Sequence, residues 1–166
     1  MIDIPNISII YAISKMKKGL RALSINYCSL DNNDLEFLPT SLHTESLQRL
    51  YLYSNKIVND SKDVGLITLC QKLKKIVVLS FGNCTLHTLS PESVSQLVKS
   101  LCDCNSLKVL QLKENQFSQE ITNLIIEGLA HSKSLRYLDL TFSLPGWPRR
   151  NGRLNEEEIN IIKSLV

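Results

Sequence analysis

The sequence has little of what most catalytic sites are built from. Its 166 residues include only six glycines, and no two of them stand in G-x-G spacing. That removes the phosphate-cradling loops and the strained turns that present a nucleophile. There are three histidines, His43, His87 and His131, set 44 residues apart with no metal-ligand spacing around them. No paired-carboxylate constellation occurs, and general acid–base chemistry lacks its parts. No cofactor is expected, and the chain reads as a non-enzyme. Long apolar runs are absent too. The opening stretch MIDIPNISIIYAISKMKKGL is too interrupted to span a bilayer. Its apolar part follows Asp3 rather than a basic segment, and no small-residue cleavage site comes after it, unlike a secretory leader. The formal net charge is +3, too small to argue for nucleic acid. The expectation is therefore no membrane and no nucleic-acid partner.

The five cysteines, Cys28, Cys70, Cys84, Cys102 and Cys104, are an odd number without a secretion signal, as expected of reduced thiols in a cytoplasm. Cys102 and Cys104 form C-x-C, but no second cluster completes a metal site, so buried structural thiols are the expected reading. Hydrophobic residues make up 43% and charged residues 21%, with no low-complexity linker. One soluble domain spanning 1–166 is the expectation.

What the sequence does have is a repeat. The pattern L-x-x-L-x-L-x-x-N/C-x-L appears as Leu20, Leu23, Ile25, Cys28, Leu30. It returns from Leu47 (Leu50, Leu52, Asn55, Ile57), from Ile76 (Leu79, Phe81, Cys84, Leu86) and from Leu107 (Leu110, Leu112, Asn115, Phe117). A fifth copy, Leu135, Leu138, Leu140, carries Ser143 where Asn or Cys stood before. The starts are 27, 29, 31 and 28 residues apart. Each L-x-L is a short strand with its apolar side turned inward. The Asn or Cys sits where the chain turns, able to bond backbone groups of neighbouring turns.

Between strands the period changes to that of a helix. Val94, Leu97, Val98 and Leu101 share a face behind Ser90-Pro91-Glu92, an N-cap, a first-turn proline and a dipole-matched acid. Ile121, Leu124, Ile125 and Leu129 form a second face, and Leu66, Leu69, Cys70 and Leu73 a third. The segment DLEFLPTSL contains Pro39 and is expected to be short or distorted. Amphipathic helices are expected to cover both ends, one within 1–19 and one within 145–166, with repeats over 20–144 between them. Basic clusters (Lys15, Lys17, Lys18, Arg21; Lys72, Lys74, Lys75) fall at helix C-termini and acids (Asp31, Asp34, Asp60, Asp63, Glu92, Glu120, Glu156 to Glu158) at N-termini, the arrangement that helix dipoles favour.

These five copies resemble the leucine-rich-repeat family in its ribonuclease-inhibitor-like subclass, which has repeats near 28 residues, a helix in each, and alternating Cys and Asn at the turn. Cys28, Asn55, Cys84 and Asn115 alternate in that way, while Ser143 departs from it and makes an irregular last turn the expectation. The resemblance implies an α/β solenoid, a horseshoe arc of about five repeats with parallel strands on the concave face and helices on the convex face. The Lys-, Asn- and Ile-rich composition also resembles leucine-rich-repeat effectors of Legionella-type intracellular bacteria, which would place the chain in a host cytosol.

The strand positions not used for the core are those left for a partner. Counting the first leucine as one, positions three, five, seven and eight hold Ala22, Ser24, Asn26, Tyr27; Arg49, Tyr51, Tyr53, Ser54; Val78, Ser80, Gly82, Asn83; Val109, Gln111, Lys113, Glu114; and Tyr137, Asp139, Thr141, Phe142. At 6% aromatic content, these positions would hold about one aromatic, and they hold Tyr27, Tyr51, Tyr53, Tyr137 and Phe142. Tyrosine also favours strands on either face, but it is an efficient interface anchor. The expected binding set is Asn26, Tyr27, Arg49, Tyr51, Tyr53, Ser80, Gln111, Lys113, Glu114, Tyr137, Asp139 and Phe142. The FSLPGWPRR loop adds Trp147 and Arg149, as a cap on the last repeat or as partner anchors. The aromatics flank a small, flat middle over which a partner could insert something bulky.

These positions, and the family resemblance by analogy, imply a module that grips one folded protein. An enzyme inhibited by coverage of its active site is the partner expected first, and the chain is expected to be a monomer without it. A GTPase-activating role, using Asn26, Asn83 or Arg49, and a recognition fragment of a longer scaffold are the alternative expectations.

Overall fold

The computed structural model describes residues 7–15, 19–42, 44–58, 63–141 and 143. Phe142, Trp147, Arg149, His43 and the segment 144–166, with its expected capping helix, lie outside the described residues.

Among the described residues, five three-residue strands form one parallel sheet in sequence order: β1 (Ala22–Ser24), β2 (Arg49–Tyr51), β3 (Val78–Ser80), β4 (Val109–Gln111) and β5 (Tyr137–Asp139). The central leucines pair in one line, Leu23, Leu50, Leu79, Leu110 and Leu138, and all are buried. Among the described residues, five helices form the second layer: α1 (Ile7–Ser14), α2 (Asn32–Ser41), α3 (Val64–Lys72), α4 (Pro91–Cys102) and α5 (Gln119–Leu129), each packed on the next. The repeat leucines fill the space between the layers. Among the described residues, no helix is long and apolar enough to cross a membrane. The 31-residue spacing from Ile76 to Leu107 accommodates a 3₁₀ turn, Leu86–Thr88, and the 12-residue α4.

Helix ends follow the sequence signals. Ser90 Oγ accepts from Ser93 N at 3.1 Å and Ser118 Oγ from Ile121 N at 3.2 Å, each satisfying an orphan donor. Asp31 and Asp34 complete a reciprocal capping box at α2. That helix corrects the expectation from Pro39: it runs ten residues, one more than α3. Pro39 lies in its last turn, where a missing N–H forgoes a single helix bond, and Leu42 N closes the helix on Leu38 O at 2.9 Å. Burial of Leu35 and Leu38 outweighs that single lost bond. Asp63, before α3, makes no side-chain cap. Asn32 does this from the neighbouring helix, its Oδ1 accepting from Gly65 N at 2.9 Å and Leu66 N at 3.4 Å.

A ladder runs through the turn position. In each of repeats two to five its side chain donates to the sixth-position carbonyl of the repeat before: Asn55 to Ile25 O (2.7 Å), Cys84 to Leu52 O (3.0 Å), Asn115 to Phe81 O (2.8 Å) and Ser143 to Leu112 O (2.8 Å). Ser143 therefore takes the ladder position instead of breaking it. A hydroxyl offers the same single donor as a thiol, and Ser143 also accepts from Asn115 N at 3.4 Å. Asparagine does more. Asn55 Oδ1 accepts from Cys28 N and Leu30 N, and Asn115 Oδ1 from Cys84 N and Leu86 N. A second set of ties crosses at the other end of the strands. Ser46, Ser106 and Ser134, each just before a first-position leucine, donate to Leu20 O, Lys74 O and Cys104 O respectively.

Candidate functional site: the open sheet face

The in-register pairing turns the free positions into rows across the sheet. Position three gives Ala22, Arg49, Val78, Val109, Tyr137, and position five gives Ser24, Tyr51, Ser80, Gln111, Asp139. The chain beyond each strand keeps the parallel pairing: Tyr27 N bonds Tyr53 O, Ser54 N bonds Gly82 O, Asn83 N bonds Lys113 O and Glu114 N bonds Thr141 O. Position eight is left-handed in four repeats, at Tyr27, Ser54, Asn83 and Glu114, with φ between 51° and 61°. That backbone conformation is sterically costly for a tyrosine, and it turns the chain inward after the strand.

The centre of this face is not open. Tyr53 lies across Gly82, and a Cβ on Gly82 would stand 2.8 Å from Tyr53 Cδ2 and 3.0 Å from Lys113 Cγ. The phenol reaches the fourth repeat, where its OH donates to Glu114 Oε2 at 2.7 Å. Lys113 Nζ stands 5.2 Å from the Tyr53 ring centroid, within cation–π range, and Tyr27 meets the ring edge-on at 5.5 Å. From the other side, Asn26 Oδ1 accepts from Tyr53 N at 2.8 Å. Asn26, Tyr27, Tyr53, Lys113 and Glu114 thus form one bridge spanning four repeats. The expected bulk-accepting middle is filled from within the chain, because glycine lets a neighbouring ring settle onto the backbone. Ser80 is buried too, a small side chain between Tyr51 and Gln111 in its row.

The bridge shifts one titration. The hydrogen bond to Glu114, then burial, then the Glu114 charge push the Tyr53 phenol up to about 12. A pKa raised on folding stabilises the fold fully below the unfolded value near 10, and the gain is lost as pH rises toward 12. Tyr53→Phe is expected to cost about 1 kcal/mol at pH 7, the worth of one half-buried charge-assisted hydrogen bond. Its deficit relative to wild type should vanish between pH 10 and 12. Alkaline absorbance titration should show a late tyrosinate phase that this variant lacks; a wild type without that phase would contradict the bridge.

Exposure concentrates at the two ends. Tyr27 is 73% exposed and Tyr137 40%. Burial first, and then Asp139, push the Tyr137 phenol upward. Arg49 is exposed; Tyr51, Gln111 and Asp139 are half-buried. Asp139 Oδ1 accepts from Thr141 N at 3.0 Å and Thr141 Oγ1 at 2.6 Å, which fixes its carboxylate. Asn83 Nδ2 donates to Ser54 Oγ at 2.7 Å, so this asparagine, like Asn26, is engaged within the chain. Sequence reasoning placed Glu114 and Gly82 separately. The signal available was a tyrosine beside a glycine in one row, with an acid one repeat further along.

The cysteines sit mostly inside. Cys70, Cys84 and Cys104 are buried, and burial pushes the Cys70 thiol up and the Cys84 thiol to about 12. Cys104 Sγ donates to Leu73 O at 3.1 Å. Among the described residues, no group of three or more His, Cys, Asp or Glu is placed to hold a metal ion.

No family model matches the chain. Leucine-rich repeat-containing protein 14 of Xenopus laevis is 26% identical over 127 residues, 76% of this chain and 24% of that protein. The chain thus spans about a quarter of the length of the curated relative it matches, and the match supports a leucine-rich-repeat type. Among solved structures, the tropomodulin C-terminal domain of Caenorhabditis elegans superposes with a TM-score of 0.61 at 17% identity, covering 95% of this chain and 89% of that one. Actin-binding site 2 of leiomodin-1 superposes with a TM-score of 0.65 at 14% identity, covering 94% and 86%. At these identities the likeness is one of fold.

Proposed function

We propose that the chain is a protein-binding module that grips a folded partner on the open face of its sheet. The observation that carries this is the pair of exposed tyrosines, Tyr27 and Tyr137, at opposite ends of a rigid, internally bonded face. An exposed tyrosine on this face adds nothing to the core, and it brings large contact area at a cost of few rotors. The Tyr53 bridge serves as a preformed floor between the two anchors, which lowers the ordering cost of binding. Arg49, Tyr51, Gln111 and Asp139 supply polar specificity around them. Phe142, Trp147 and Arg149, outside the described residues, are further contacts in this reading.

The finer reading is occlusion: a partner enzyme is inhibited because its active site is covered, as the ribonuclease-inhibitor-like repeat suggests by analogy. In that reading the chain is a monomer until it meets its partner. The leiomodin-1 neighbour makes actin the first folded protein to try. For the protein bound, Tyr27→Ala and Tyr137→Ala are each expected to weaken binding by about 1–3 kcal/mol; Tyr137→Ala should leave thermal unfolding unchanged, and Tyr27→Ala should lower stability only by its ring contact with Tyr53, about 1 kcal/mol. Titration calorimetry checks this; full affinity in the double variant would sink the proposal.

A further inference from the structure

Off the sheet face, two short loops run side by side where the chain enters β4 and β5. Residues 105–108 read Asn-Ser-Leu-Lys and residues 133–136 read Lys-Ser-Leu-Arg. The shared Ser-Leu holds both in place. Leu107 and Leu135 are buried, Ser106 donates to Lys74 O at 2.8 Å, and Ser134 donates to Cys104 O at 3.0 Å. Arg136 N and Tyr137 N both bond Lys108 O, at 2.9 and 3.0 Å, which fixes one loop against the other. Asn105, Lys108, Lys133, Ser134 and Arg136 line a cavity of about 370 Å³ between them.

Three cationic side chains therefore converge on one concavity. Among the described residues, no carboxylate forms an ion pair with any of them. Arg136 Nη1 donates to Lys133 O at 3.2 Å and Leu135 O at 2.9 Å, so the guanidinium is held against its own loop and keeps further N–H groups to offer. Lys72 and Lys99 lie in last turns of helices, where the dipole accounts for them. Lys108 and Arg136 stand at strand entries, where it does not. A cleft lined by one sign of charge focuses potential on its contents.

We propose that this pocket is an oxyanion site, taking a doubly charged phosphate-type group carried by a ligand. Among the lining residues Arg136 offers the planar fork, Lys108 and Lys133 offer point charges, and Asn105 offers a neutral donor. The volume exceeds what a bare phosphate fills and leaves space for the group that bears it. The site lies off the rows of the sheet face, so its failure would leave the protein-binding reading untouched.

The test is a titration of the isotope-labelled full chain with inorganic phosphate at fixed ionic strength, followed by amide chemical shifts. The expected result is a saturable shift confined to residues 105–108 and 133–136. Lys108→Gln with Arg136→Gln should weaken it tenfold or more with unchanged circular dichroism. Parallel titrations with a phosphoserine peptide and its unphosphorylated form separate the sources. Tenfold tighter binding of the phosphopeptide than of inorganic phosphate is the result expected of a phosphate carried by a ligand, and equal binding of the two would overturn that assignment. Three results would overturn the site: shifts spread equally over Lys72, Lys74 and Lys75, no loss in the double variant, or equal binding of the unphosphorylated peptide.

Discussion

Gly65→Ala is expected to destabilise the chain by about 2–4 kcal/mol, although helix propensity alone favours alanine there by about 1 kcal/mol. Gly65 is the second residue of α3, and a Cβ on it would stand 1.9 Å from the carbonyl oxygen of Asn32 and 2.9 Å from the backbone nitrogen of Glu36. Both obstacles are main chain of α2, so no side-chain rotation relieves them. The two helices must part, and the same movement pulls Asn32 Oδ1 away from the N–H groups of Gly65 and Leu66 that it caps. Those donors, and the 5% exposed Asn32 side chain, would lose partners in a dry interface. Gly128→Ala is the informative comparison. The three atoms nearest its Cβ all belong to the Val98 side chain rather than to main chain, so a smaller loss is expected. Urea unfolding of the two variants separates propensity from approach; a stabilised Gly65→Ala would show that α2 and α3 are not this close.

The second large effect lies in the ladder. Asn115→Ala is expected to cost about 3–5 kcal/mol and Cys84→Ala about 1–2 kcal/mol, though both side chains occupy the same place in successive repeats. The difference is in the number of bonds each makes. Asn115 accepts from Cys84 N and Leu86 N and donates to Phe81 O and Leu112 O, all within buried surroundings. Alanine there strands the Cys84 and Leu86 donors and the Phe81 acceptor, while Leu112 O keeps its bond from Ser143 Oγ. The Cys84 thiol donates weakly to Leu52 O and Gly82 O, and the Thr85 hydroxyl adds a separate tie to Val58 O. Against a total of roughly 5–15 kcal/mol for a chain this size, the first loss brings the fold close to its limit. Equal losses in denaturant unfolding would contradict the view that asparagine turns carry the stack.

The repeat was legible because its positions are set by local constraints that recur. A strand that buries every second residue and a turn that needs a multi-bonding side chain leave the same mark five times. Helices α4 and α5 were legible for a similar reason, as their caps and periodicity coincide. The bridge at the centre of the face was not. Tyr53 and Glu114 are 61 residues apart, and nothing local says that a tyrosine ring will lie over the next repeat's glycine instead of standing outward. Alternation assigns a side chain to a face, but the rotamer and the neighbour's volume decide whether it is offered to a partner. The same limit hid the approach of Gly65 to Asn32, which depends on how two helices pack. Pro39 misled because its position within the helix matters more than its presence.

The central claim is that the open sheet face, at its two tyrosine ends, is where another protein is held. Photo-cross-linking tests it most directly. A benzophenone side chain is placed singly at Tyr27, at Tyr137, and at Phe37 on the helical layer, whose 52% exposure lies between those of the two tyrosines. The expected result is covalent capture of one and the same protein from both tyrosine positions and none from Phe37. Capture from Phe37 alone, with both sheet positions silent, would contradict it.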